Sequence, residues 1–316
     1  MTGFVTVPDG RELAFEEYGD PDGRPVLSFH GGLSSRLDAA PADVAATKLG
    51  IRLISPDRPG MGQSTYQPDR RLLDWPDDVV ALTGALDIDR FAVMGWSSGG
   101  PYAAVCGALL RDRVTRVALL SSAVPLDLFG TTRGLSFDDR VLLLLVRRAP
   151  GLAATLMRVM IADATEGRLY REMVRSIPRV DRAVIKAMGP PAEAVAFVKE
   201  SMRQGTDGCL QDYRIFGDPW GFDLGDVTAP VDIWEGAEDR SGPPAYRDFL
   251  LRHLPEARLF VVPDEGHISL LAHRAESILA RLVAPESGGA VPGGAELGGS
   301  EPGGRELGSQ ELGGRP

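Results

Sequence analysis

At 316 residues the chain is long enough for one large domain or two small ones, each with a core of its own. With 44 acidic against 34 basic residues its net charge is −10, and no basic block appears, which argues against nucleic acid and anionic membranes as partners because phosphate binding draws on clustered Lys and Arg. Two cysteines, Cys106 and Cys209, are too few and too far apart for a metal cluster or a disulfide framework; each reads as a small apolar filler of a helix, and a cytoplasmic protein is expected.

The first residues lack the charged leader, apolar stretch and small-residue cleavage site of a secretion signal, and the longest apolar run, 141–146, stops at Arg147-Arg148, far short of the ~18 residues a membrane span needs. Segments 4–7 and 13–18 read as strands on either side of Asp9-Gly10, a dipeptide suited to a hairpin turn. Short apolar runs follow at 26–29, 51–54, 91–94 and 117–120, with helix-length segments between them. Such alternation predicts right-handed crossovers, a mainly parallel sheet covered on both faces, and ligands bound at the carboxyl ends of its strands.

After Ser121-Ser122 the alternation breaks, because 137–149, 152–161, 169–176 and 192–202 all read as helices with no strand between them. The strand pattern resumes at 231–234 and 259–262, and a last helix is expected over 270–283. The expected organisation is a core segment over 1–124, a helical cap over 125–226, a second core segment over 227–285 and a tail over 286–316. That tail repeats Gly-Gly-Ala-Glu-Leu and similar five-residue units, with too few apolar side chains to offset the entropy of ordering them, so it is expected to be disordered.

Gly95-Trp96-Ser97-Ser98-Gly99 lies where the apolar run 91–94 turns into the helix-like 101–106. A serine in so sharp a strand-to-helix turn projects its hydroxyl above the sheet, and small residues flank it because a Cβ there would meet neighbouring backbone, so Ser97 is the candidate nucleophile. A serine hydroxyl needs a neutral imidazole to take its proton and an anion to orient that imidazole. Of four histidines, His267 stands just past the last apolar strand, at the edge where Ser97 emerges, while His253 and His273 fall on predicted helices and His30 in a Gly-rich turn that it is expected to brace. For the anion, Asp239 in Gly236-Ala237-Glu238-Asp239 is chosen, with Glu238, Glu235 and Asp264 as rivals. Acyl transfer also needs donors for an oxyanion; the amide of Ser98 supplies one and that of Gly32, in Phe29-His30-Gly31-Gly32-Leu33, the other. The turn 56–64 is read as scaffold, and the cap helices over 142–146 and 152–160 are expected to line an apolar acyl pocket.

The ordered set His30-Gly31-Gly32, Asp57-Arg58-Pro59-Gly60-Met61-Gly62-Gln63-Ser64, Gly95-Trp96-Ser97-Ser98-Gly99, Gly236-Ala237-Glu238-Asp239 and Gly266-His267 resembles the α/β-hydrolase superfamily over about residues 4–284. The resemblance implies an eight-stranded, mostly parallel sheet flanked by helices, a helical cap, a Ser-Asp-His triad at Ser97, Asp239 and His267, and no cofactor or metal. Within the superfamily the chain is most similar to capped bacterial esterases, lactonases and peptidases, since Ser97 stands where dehalogenases and epoxide hydrolases carry aspartate. The expected activity is hydrolysis of a small-molecule ester or lactone through an acyl-enzyme. The alternatives are amide or carbon–carbon bond hydrolysis by the same residues, and a ligand-binding protein that keeps the fold without turnover.

Overall fold

The computed structural model describes residues 2–126, 137–164, 171, 174–190, 196–285 and 295–296. Strands β1 (Gly3–Thr6) and β2 (Glu12–Gly19) form an antiparallel hairpin, with Gly10 at its turn holding φ +88°. Then come β3 (Arg24–Phe29), β4 (Ile51–Pro56), β5 (Phe91–Trp96), β6 (Val114–Leu120), β7 (Val231–Gly236) and β8 (Ala257–Val262). The sheet runs β1-β2-β4-β3-β5-β6-β7-β8, and every pair from β4 to β8 is parallel, as expected for the mostly parallel eight-stranded fold. A two-residue strand β9 (Ala295–Glu296) adds antiparallel to β8; the rest of the tail expected over 286–316 lies outside the described residues.

Parallel strands buried on both faces read as continuous apolar runs, and β5 shows why. Its side chains alternate between two cores: Phe91 and Val93 join Leu27, Leu119 and Ile233 on one face, while Ala92 and Met94 join Val26, Leu120 and Trp234 on the other. Helices α1 (Asp43–Lys48) and α10 (Ser269–Leu282) cover the second face, where Leu270 and Ile278 reach the core. Helices α2 (Trp75–Ala85), α3 (Gly100–Leu109) and α9 (Pro244–His253) cover the first with Val79, Tyr102 and Phe249. Cys106 and Cys209 are both buried and unpaired.

Between β6 and β7 the described residues form helices: α4 (Phe137–Arg148), α5 (Pro150–Ala164), α6 (Arg179–Ala187), α7 (Ala196–Ser201) and α8 (Asp207–Gly217). Of the helices expected over 169–176 and 192–202, residues 169–170, 172–173 and 192–195 lie outside the described set. Leu142, Val146, Ala153, Ala154, Met157, Cys209 and Leu210 form a small apolar cluster with Met61 of the sheet domain. No helix among the described residues is long and apolar enough to cross a membrane.

Candidate active site

The turn after β5 is strained at one residue. Ser97 has φ +54°, a left-handed conformation that a residue with a Cβ adopts at a cost of about 1–3 kcal/mol, and it opens the short 3-10 turn Ser97–Gly99 that feeds α3. The turn closes so tightly that a side chain on Gly95 would overlap the Gly99 carbonyl, and one on Gly99 would overlap the Phe29 carbonyl. The result lifts Ser97 into a cavity of about 300 Å³ that it lines together with Gly32, Ser98 and His267.

His267 follows the turn after β8, and its Nδ1 is 2.8 Å from Asp239 Oδ2, the bond expected from the loop after β7. The other Asp239 oxygen accepts the Ser241 main-chain N–H at 2.7 Å. Of its rivals, Glu238 and Asp264 are exposed, and Glu235 faces Arg247 at 3.8 Å. Burial works against a charged imidazole, but the charge and hydrogen bond of Asp239, helped by Asp181 and Asp38, outweigh it and hold His267 above the ordinary histidine value. Burial likewise opposes the Asp239 carboxylate, yet His267 and the Ser241 N–H bring it below the usual aspartate range. Trp96 holds the residue on one side: its indole N–H donates to the His267 carbonyl at 2.9 Å, and the ring centres of the indole and the imidazole are 5.2 Å apart.

The Ser98 N–H sits in the first turn of a helix, where no intrahelical acceptor exists, and the Gly32 N–H has no partner among the described residues. The loop carrying Gly32 is fixed by charge. Arg58, fully buried, donates to the carbonyls of His30 and Gly31, and its own charge is matched by Asp212 of α8, 2.7 Å away. His30 does brace this turn: Nε2 accepts the Arg58 main-chain N–H, which leaves Nδ1–H to donate to the Gly31 carbonyl at 2.9 Å. Burial and the Arg58 charge push His30 well below the ordinary histidine value, so it stays neutral. Asp38 accepts the Gly31 N–H at 2.8 Å and the Ser34 hydroxyl, and its withdrawal from water pushes it up to about 6. The turn after β4 is scaffold as expected, since Asp57 holds the Arg36 and Gln63 main-chain N–H groups at 2.7 and 2.9 Å.

The apolar wall of the cavity differs from expectation. Leu143 of α4 lines it, but among the described residues none of 152–159 does; Ala153, Ala154 and Met157 pack in the apolar cluster of the insertion, while Leu152 and Val159 face solvent. Their place is taken by Tyr213 and Phe216 of α8, together with Val124 and Leu126. The reason is that the buried residues of α5 pack against α4 and α8, on Leu142, Val146, Cys209 and Leu210, instead of facing the cavity. A second, mainly apolar cavity of about 340 Å³ lies across Trp96, walled by Val184 and Ile185 of α6 and by Leu271 of α10, and neither Ser97 nor His267 reaches it. Among the described residues no group of three or more His, Cys, Asp or Glu is placed to hold a metal ion.

Sequence reasoning singled out neither Asp181, Asp212, Asp38 nor Trp96. A signal existed for two of them: Asp181 shares a helical stripe with Val184 and Ile185, and Asp212 one with Cys209 and Ile215, so each is a carboxylate on an otherwise apolar face.

The chain is similar to known proteins in sequence and in fold. A non-heme chloroperoxidase of Streptomyces lividans is 35% identical over 124 residues, and a bifunctional esterase/perhydrolase of Acinetobacter calcoaceticus 34% identical over 125. Each of these matches covers 39% of this chain and 45% of the relative, so the chain spans less than half the length of either. A thermophilic esterase from Thermogutta terrifontis superposes with a TM-score of 0.65 at 22% identity, covering 89% of this chain and 96% of that one, a likeness of fold. The model of the α/β hydrolase fold family matches residues 24–273, and with the sheet order and the serine turn described above the chain belongs to that family.

Proposed function

We propose that the protein is a serine hydrolase that cleaves a small-molecule carboxylic ester or lactone through an acyl-enzyme. The Ser97 hydroxyl attacks the carbonyl carbon as His267 Nε2 takes its proton, and the tetrahedral oxyanion is held by the N–H groups of Ser98 and Gly32. The protonated imidazole then gives its proton to the leaving oxygen, the acyl-Ser97 ester forms, and water activated by the same imidazole releases the acid. Asp239 fixes the imidazole tautomer with Nδ1–H toward the carboxylate and steadies its charged form.

One observation carries the reading: His267 is bonded to Asp239 at 2.8 Å and lines the same cavity as a serine held at φ +54°. A cavity of about 300 Å³ stands at the small end of ligand pockets, which favours compact acyl groups. The esterase activity in the name of the Acinetobacter relative points the same way.

The test is labelling by a fluorophosphonate together with turnover of p-nitrophenyl esters of graded chain length and of lactones. Ser97→Ala and His267→Ala should lose labelling, and Asp239→Asn should cut kcat about 10,000-fold through loss of the imidazole tautomer. Equal labelling of wild type and Ser97→Ala overturns the proposal.

A further inference from the structure

A carboxylate without a part in the reaction above underlies the histidine loop. Asp181 of α6 has no exposed surface, and its two oxygens accept main-chain N–H groups from three successive residues: His267 at 2.9 Å, Ile268 at 3.0 Å and Ser269 at 2.8 Å. These residues lead into α10, whose first-turn N–H groups have no intrahelical acceptor, and a negative charge at that end is further favoured by the helix dipole. A side chain on Gly266 would overlap the Asp181 carboxylate, and the Gly266 N–H turns instead to Ser269 Oγ at 2.8 Å. The main chain of His267 is therefore gripped at both ends from outside its own loop, its N–H by Asp181 and its carbonyl by Trp96.

We propose that Asp181 is a positioning residue for His267: from the helical insertion it fixes the main chain of 267–269 and so couples the seating of α6 to the orientation of the imidazole over Ser97. This rests on His267 being the general base. The coupling is steep, since displacing a catalytic group by about 1 Å costs on the order of 100-fold in rate. The insertion is then part of the site's scaffolding as well as its cover. The carboxylates that bear on the imidazole are Asp239 from the loop after β7, Asp181 from α6 and Asp38 from the 3-10 turn Arg36–Ala42, all of one sign. Removing the Asp181 charge therefore favours the neutral base and moves the acidic limb of the pH profile to lower pH.

The experiment compares hydrolysis of p-nitrophenyl butyrate by the full chain as wild type, Asp181→Asn, Asp181→Ser, Glu200→Gln and Ser97→Ala. Asn keeps the volume and one acceptor oxygen, Ser a hydroxyl for a single N–H, and either variant with wild-type circular dichroism is read. The expected result is a kcat lower by about tenfold or more with KM within roughly twofold, because Asp181 does not line the reactive cavity, and an acidic limb of kcat/KM displaced downward. Glu200→Gln, which removes a different tie between the insertion and the core, 2.8 Å from Arg36, leaves kcat and the limb in place. An Asp181 variant with wild-type kcat and an unmoved limb overturns the proposal. Wild-type turnover by Ser97→Ala instead overturns the reading on which it rests.

Discussion

Leu27, Val93, Leu119 and Ile233 on one face of the sheet, and Val26, Ala92, Ala118 and Trp234 on the other, are held by apolar contact, whereas the insertion adds buried carboxylates to the apolar contacts that Ile215 and the Met61 cluster make with the same sheet domain. Asp181 grips the histidine loop, Glu200 pairs with Arg36, and Asp212 lies between Arg58 and Arg70 with the Tyr102 hydroxyl donating to it at 2.9 Å. Apolar burial is non-directional and rewards any close seating, while a buried carboxylate is satisfied only where its donors converge. The strands are thus held together mainly by area, while the seating of the insertion is specified by charge as well as by apolar burial. Two of its carboxylates end on the loops that carry the proposed chemistry, Asp181 on that of His267 and Asp212, through Arg58, on that of Gly32.

The largest effect is expected at Asp212. Asp212→Asn leaves Arg58 and Arg70 buried without their counter-charge, and a loss of about 3–5 kcal/mol in unfolding free energy is expected by denaturant titration, with proteolysis entering the insertion first. The same carboxylate makes the loss depend on acid. Burial opposes the Asp212 carboxylate, but Arg58 and Arg70 together bring its pKa to about 2 from an ordinary 3.8. A depressed carboxylate contributes stability above its unfolded pKa and loses it as pH falls through the folded one, so the contribution is whole above pH 4 and fades towards pH 2. The stability gap between wild type and Asp212→Asn should therefore shrink by about 2 kcal/mol between pH 5 and pH 2. The smallest effect belongs to the sheet: Ile233→Val, which removes one methylene from a fully buried site, should cost about 1 kcal/mol at either pH and leave kcat unchanged. A larger loss of activity than of stability in Ile233→Val would erase the distinction between the two regions.

Much of this was legible in the residues. The strands are short apolar runs because both faces of a parallel sheet are buried, and their observed bounds differ from the expected ones by a few residues at the ends, where pairing rather than hydropathy sets the limit. Ser97 and His267 were legible because local backbone demands mark them: a turn that tolerates only small neighbours, and a loop directly after a strand. The wall of the cavity was not, since α4 and α5 both carry several apolar side chains and only their packing decides that Leu143 faces inward while Leu152 faces water.

Local features follow from the residues alone: the alternation that builds the sheet, the strained serine turn, and the chain order that brings Asp239 and His267 to the same edge. Packing, by contrast, sets how charges far apart in the chain meet, Asp181 with the histidine loop 86 positions on and Asp212 with Arg58 154 positions back. Periodicity reports a residue's face, which follows from its own backbone; the partner of a buried charge is chosen by which donors the packed elements bring within reach, and no local pattern encodes that distance.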